Sequence, residues 1–142
     1  FTNTNIHWPF NVIIGHSERR EGFKEGDELL AKKVQAAKQF NLEPIFCVQS
    51  KEAKIPEDVR IIAYEPPDAI STGDVGQALL PERAQEVAYQ LKHQHHIPYV
   101  LYGGSVNPEN VRSYTSQSSI DGVLVGGASL DPVVFSQIIQ LA

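Results

Sequence analysis

Short, unbroken apolar runs alternate with longer stretches in which apolar residues recur every three or four positions. The runs are FNVII (10–14), PIFCV (44–48), RIIAY (60–64), YVLY (99–102) and GVLVG (122–126). Each is rich in β-branched or aromatic residues and ends in glycine or polar residues, the pattern of a strand. Between them, residues 27–40 carry Leu30, Val34, Ala37 and Phe40 at helical spacing, with Asp27 as the expected N-cap. Residues 81–95 repeat the pattern: Pro81 suits a first helical position, and Ala84, Val87, Ala88 and Leu91 form one apolar face. A shorter helix is predicted over 108–117, capped by Asn107, and a last one over 131–142, opened by Asp131 and Pro132. The connection between the second and third runs holds at most one helical turn, because Pro56 interrupts it.

Strand alternates with helix, and most strands are apolar on both faces. That combination predicts an α/β fold with a parallel sheet covered on both sides. Two architectures satisfy it: an open doubly wound sheet, and part of a (β/α)8 barrel. Both place their chemistry at the C-terminal ends of the strands. No linker, charge block or low-complexity tract divides the chain, so residues 1–142 are expected to form a single domain.

In a parallel sheet, the residues that follow each run converge on one rim. They are Gly15, His16, Ser17 and Glu18; Gln49 and Ser50; Glu65 and Pro66; Gly103, Gly104 and Ser105; and Gly126, Gly127, Ala128 and Ser129. Two successive glycine pairs one unit apart let backbone N–H groups approach an anion, which points to phosphate; the bland alternative is a pair of tight turns. Glu65, at the end of a buried run, is either a general base or half of an ion pair. His16 alone would be a hydrogen-bonded structural histidine. Together with a carboxylate and a phosphate cradle it suits proton abstraction beside the carbonyl of a small phosphorylated substrate. The long stretch after Glu65, PPDAISTGDVGQALLPE, with prolines at its ends and glycines at 73 and 76, suggests a lid with stiff ends; the bland alternative is an ordinary βα connection. The HQHH cluster at 93–96 ends a polar helix away from this rim and is read as a solvated turn; no metal site is expected.

Composition narrows the partners. A net charge of −5 argues against nucleic acid and membrane surfaces, yet leaves room for a small anion held by backbone amides. Cys47 is the only cysteine, so no intrachain disulfide can form, and a reduced, cytoplasmic setting is expected. The opening FTNTNIHWPF lacks the pattern of a signal peptide. The absence of methionine is read as the mark of a partial sequence.

The motifs VIIGHSERR, AYEP, AISTG, LYGGSVNPENV and IDGVLVGGASLDP, in this order, resemble the triosephosphate isomerase family. The resemblance covers about residues 11–142 and implies a partial TIM (β/α)8 barrel, the last five units of eight. It implies interconversion of glyceraldehyde 3-phosphate and dihydroxyacetone phosphate through an enediol, in glycolysis and gluconeogenesis, with a small phosphorylated triose as substrate and no metal or organic cofactor. By the same resemblance Glu65 removes the proton beside the carbonyl, and neutral His16 polarises that carbonyl and shuttles a proton. This pairing of carboxylate base and neutral histidine is the family's known chemistry, carried over through the resemblance rather than derived from the residues. Glu18 holds neighbouring charges in place. Ser71, Ser105, Gly126 and Gly127 offer backbone N–H groups to the phosphate.

Several features depart from the family pattern. The phosphate-gripping lid, which the resemblance assigns to residues 66–76, reads PPDAIST at its start, with Asp68 adding a charge and Ser71 in place of a glycine. A helix common between FCV and RIIAY is absent. The first three units have no counterpart, and with them go the asparagine and lysine that bind substrate and the loop that dominates the dimer contact. The homodimer of the full-length family is therefore not expected of these residues, which should be nearly inactive and prone to aggregate. Two rival readings are a different phosphate-binding barrel enzyme and a truncated, non-catalytic phosphate-binding fragment.

Overall fold

A computed structural model describes residues 10–69 and 78–142. Among the described residues five strands and five helices follow one another: β1 (Phe10–Ile14), α1 (Ser17–Phe23), α2 (Asp27–Gln39), β2 (Leu42–Val48), β3 (Ile61–Tyr64), α3 (Pro81–His95), β4 (Tyr99–Tyr102), α4 (Val111–Thr115), β5 (Gly122–Val123) and α5 (Pro132–Leu141). Two short 3-10 turns, Pro67–Ala69 and Gly127–Leu130, follow β3 and β5.

The strands lie in the order β1-β2-β3-β4-β5, and every adjacent pair is parallel. This order decides between the two architectures. A doubly wound sheet reverses direction partway across, whereas a barrel adds each strand beside the previous one. Here there is no reversal, so the fold is a five-strand portion of a barrel, and the sheet does not close.

The core is densest at the centre of the sheet. Cys47, Val48, Ile62 and Ala63 are fully buried there. Leu30, Val34 and Ala37 of α2 and Ala84, Ala88 and Leu91 of α3 bury their predicted faces against it. No helix separates β2 from β3; Val59 of the connecting segment packs into the core instead, with Ala53 and Ile55 partly buried against it.

Local boundaries differ from the sequence expectation for identifiable reasons. Strand β2 starts at Leu42 rather than at residue 44. It tolerates Pro44 because only β1 flanks it at that level; pairing with β3 begins at Ile45. Helix α2 is capped by Gly26, so Asp27 sits in the first turn, where its charge complements the helix dipole. Helix α4 shrinks to Val111–Thr115 because Asn107 and Asn110 exchange side chain–backbone hydrogen bonds of 2.9 Å, which makes residues 107–110 a turn. Strand β5 keeps only Gly122 and Val123, paired with Leu101 and Tyr102, because β4 ends there. In α5 the expected cap is present: Asp131 Oδ1 accepts from the N–H groups of Val133 and Val134 at 2.8 and 3.2 Å. Helix α1 has no counterpart among the predicted elements.

Candidate active site

The rim at the C-terminal ends of the strands opens into a cleft of about 590 Å³. Its walls include His16 and Glu18 from the end of β1, Glu65 from β3, Gly103 to Ser105 from β4, and Gly126 to Ala128 from β5. Parallel register does this: Ile14 lies beside Phe46, Val48 beside Tyr64, and Tyr64 beside Tyr102, so the residues that follow emerge on one side.

Glu65 is the deepest charged group among the described residues, 1 % exposed. Its Oε1 lies 3.1 Å from His16 Nε2, and its Oε2 accepts from the Ser17 N–H at 2.9 Å. Burial pushes its carboxyl above the ordinary range; the facing His16, the Ser17 N–H, the Cys47 thiol and Arg20 pull partly the other way. Cys47, directly beneath, is itself pushed up, first by burial and then by the negative charge of Glu65. A carboxylate held in an apolar setting and touched by an imidazole is a poised proton acceptor.

The chain after β1 supports this pair. His16 is the N-cap of α1, its carbonyl accepting from the N–H groups of Arg19 and Arg20. Arg20 turns back, donating from Nε to Gly15 O at 2.7 Å and from Nη2 to Cys47 O at 3.0 Å, which ties β1 to β2 at the rim. Arg19 and Lys33 both hold the buried Glu25, whose carboxyl they draw below its ordinary range, Arg19 most. The two arginines thus serve as neighbourhood supports. Glu18 is exposed on the cleft wall.

The glycine pairs behave differently. A Cβ on Gly104 would sit 2.3 Å from the Tyr102 hydroxyl, and one on Gly103 would meet Glu65 Cγ at 3.0 Å. The first pair is therefore demanded by the protein's own packing. A Cβ on Gly126 or Gly127 would meet no described atom within 4 Å. Nothing among the described residues asks for glycine there, and the space faces the cleft, as expected where a ligand approaches backbone N–H groups.

Ser105 lies on the cleft with its N–H and Oγ both donating to Ala69 O at 2.9 Å. A ligand reaches that N–H only by displacing Ala69. Ser71 and the predicted lid from residue 70 to residue 76 lie outside the described residues. The histidines of the HQHH cluster sit at the C-terminal end of α3, where His93 Nδ1 contacts Tyr89 O at 2.7 Å. Sequence reasoning missed the contacts of Ser17, Cys47 and Asn110. Ser17 acts here through a backbone N–H, which residue type does not reveal. Asn110 Nδ2 donates to Ser105 O at 3.0 Å and steadies the turn; the Asn107–Asn110 spacing was its one visible signal.

The family profile described as triosephosphate isomerase matches residues 9–142. The chain belongs to the triosephosphate isomerase family. It is 44% identical over 149 residues to the triosephosphate isomerase of Mesomycoplasma hyopneumoniae (strain 7448), covering 90% of this chain and 60% of that protein. It is 39% identical over 161 residues to that of Dictyoglomus turgidum, covering 91% and 64%. The triosephosphate isomerase of Vibrio parahaemolyticus is 37% identical over 167 residues, covering 93% and 62%. The chain thus spans about three-fifths of the length of these family members.

Proposed function

We propose that the cleft is a proton-transfer site for triose phosphates, interconverting glyceraldehyde 3-phosphate and dihydroxyacetone phosphate. The observation that carries this reading is the contact between buried Glu65 and His16, 3.1 Å apart, on the same cleft as the unencumbered Gly126–Gly127 turn. Family membership supports the substrate class.

In this reading the phosphate rests on the N–H groups of Gly126 and Gly127; Ser105 adds its own once Ala69 O has released it, and Ser71 is assigned a further N–H by the family resemblance alone. The phosphate anchors the triose so that its carbonyl meets His16. Glu65 leaves the Ser17 N–H and takes the proton from the carbon beside that carbonyl. His16 donates a hydrogen bond to the oxygen where charge develops and moves a proton between the two oxygens of the enediol. Glu65 then returns its proton to the neighbouring carbon. Glu18, exposed on the wall, sets the charge around the imidazole.

The test is deuterium uptake. In deuterium oxide, dihydroxyacetone phosphate incubated with the chain should gain deuterium at the reacting carbon, slowly in view of the low activity expected of these residues. Glu65→Gln should slow this roughly 10²–10⁴-fold and His16→Gln should also slow it. Equal uptake with the chain and with Glu65→Gln would sink the reading. Phosphate-ester binding without any uptake would instead favour a non-catalytic phosphate-binding fragment.

A further inference from the structure

We propose that Tyr114 is a positioning residue for this reaction, a role that rests on the reading of the cleft given above. Tyr114 sits on α4, is 1 % exposed, and is not part of the cleft wall. Its ring stacks on Tyr102, with centroids 4.0 Å apart and planes at 13°. Its hydroxyl donates to Leu79 O at 2.5 Å, and the Leu79 N–H donates to the Tyr102 hydroxyl at 3.2 Å. Two stacked phenols thereby capture both backbone polar groups of a single residue.

That residue is well placed. Leu79 follows Ala78, which lines the cleft. Tyr102 precedes Gly103 and Gly104, which line it from β4. The tyrosine pair therefore joins the wall at Ala78 to the turn that carries Ser105. There is no slack in the joint, because the Tyr102 hydroxyl fills the space that any Cβ on Gly104 would need. A residue that only filled the core would need a ring or a branched chain at 114. The hydroxyl adds a buried bond to a carbonyl one residue from the ligand's space, and that is a positioning contact.

The test compares the 142-residue chain with Tyr114→Phe, which keeps the ring stack and loses the hydroxyl's bond to Leu79 O together with its contact to the Tyr102 hydroxyl. Glycerol 3-phosphate, a non-reacting probe, is titrated while the backbone resonances of Gly103 to Ser105 and Gly126 to Ala128 are followed. Tyr114→Phe should weaken binding about three- to tenfold, the equivalent of one net hydrogen bond, and should speed hydrogen exchange at the Leu79 amide. Tyr114→Leu, which also removes the stacked ring, should weaken binding further. A purely structural role would lower urea stability and leave the affinity untouched. Binding by the unmodified chain together with equal binding by Tyr114→Phe overturns the role of Tyr114 and leaves the reading of the cleft standing. No binding by the unmodified chain overturns that reading, and the role of Tyr114 with it.

Discussion

The centre of the sheet and its two flanks are built to different standards. The C-terminal halves of β2 and β3, residues 46–48 and 62–64, are buried on both faces, and Ile62 and Cys47 have no exposed surface. On one flank, β1 leaves Phe10 and Ile13 open; on the other, α5 leaves Val133 and Ile139 about two-thirds exposed. The site draws on both zones. Its carboxylate comes from the sealed centre, whereas the imidazole and the Gly126–Gly127 turn come from the flanks. Burial gives Glu65 the dry setting that raises its proton affinity. In the proposed reading the flanks supply the groups that meet the ligand.

The sharpest way to break this contrast is truncation. Ile62→Ala should cost about 2–5 kcal/mol in urea unfolding, the range for a buried aliphatic side chain, whereas Ile139→Ala should stay within about 0.5 kcal/mol. Similar losses for the two would show that the flank is as well packed as the centre.

A smaller effect separates charge from packing. The folded-state proton affinity of Glu65 exceeds its unfolded value of about 4.5. Between those two values the folded chain binds more protons than the unfolded one, so stability falls as pH rises through that window. Glu65→Gln removes the buried charge, so this variant should be more stable than the parent at pH 7. The gain should shrink as the pH drops towards 4.5 and below. Thermal melts at several pH values read this directly, and a gain that does not vary with pH would assign it to packing instead. Smallest of all, Asp131→Ala removes the cap of α5 and should cost about 1 kcal/mol, read as a lower unfolding midpoint.

Much of this organisation was legible along the chain. The strand–helix alternation, the faces of α2 and α3, and the placement of His16, Glu65 and the glycines on one rim all follow from local pattern and parallel pairing. The apolar runs alone left the strand order open, because they do not name their neighbours; the family resemblance implied a barrel portion, and the sheet has that order. Nor could the sequence divide the glycine pairs, since both read as GG after a strand. Only the Tyr102 hydroxyl shows that the first pair is a packing demand and the second is not. The length of β5 escaped as well: GVLVG is uniformly apolar, but a strand extends only as far as its partner, and β4 stops at Tyr102.

The uninterrupted strand order has a consequence for how this chain is born. Among the described residues, each of β2 to β5 pairs with the strand made just before it. Each step closes only the connection between two successive strands, which keeps the entropic penalty of each closure small. This portion of the sheet can therefore grow from β1 towards β5 as translation proceeds, with the Glu65 strand docked before the glycine turns emerge.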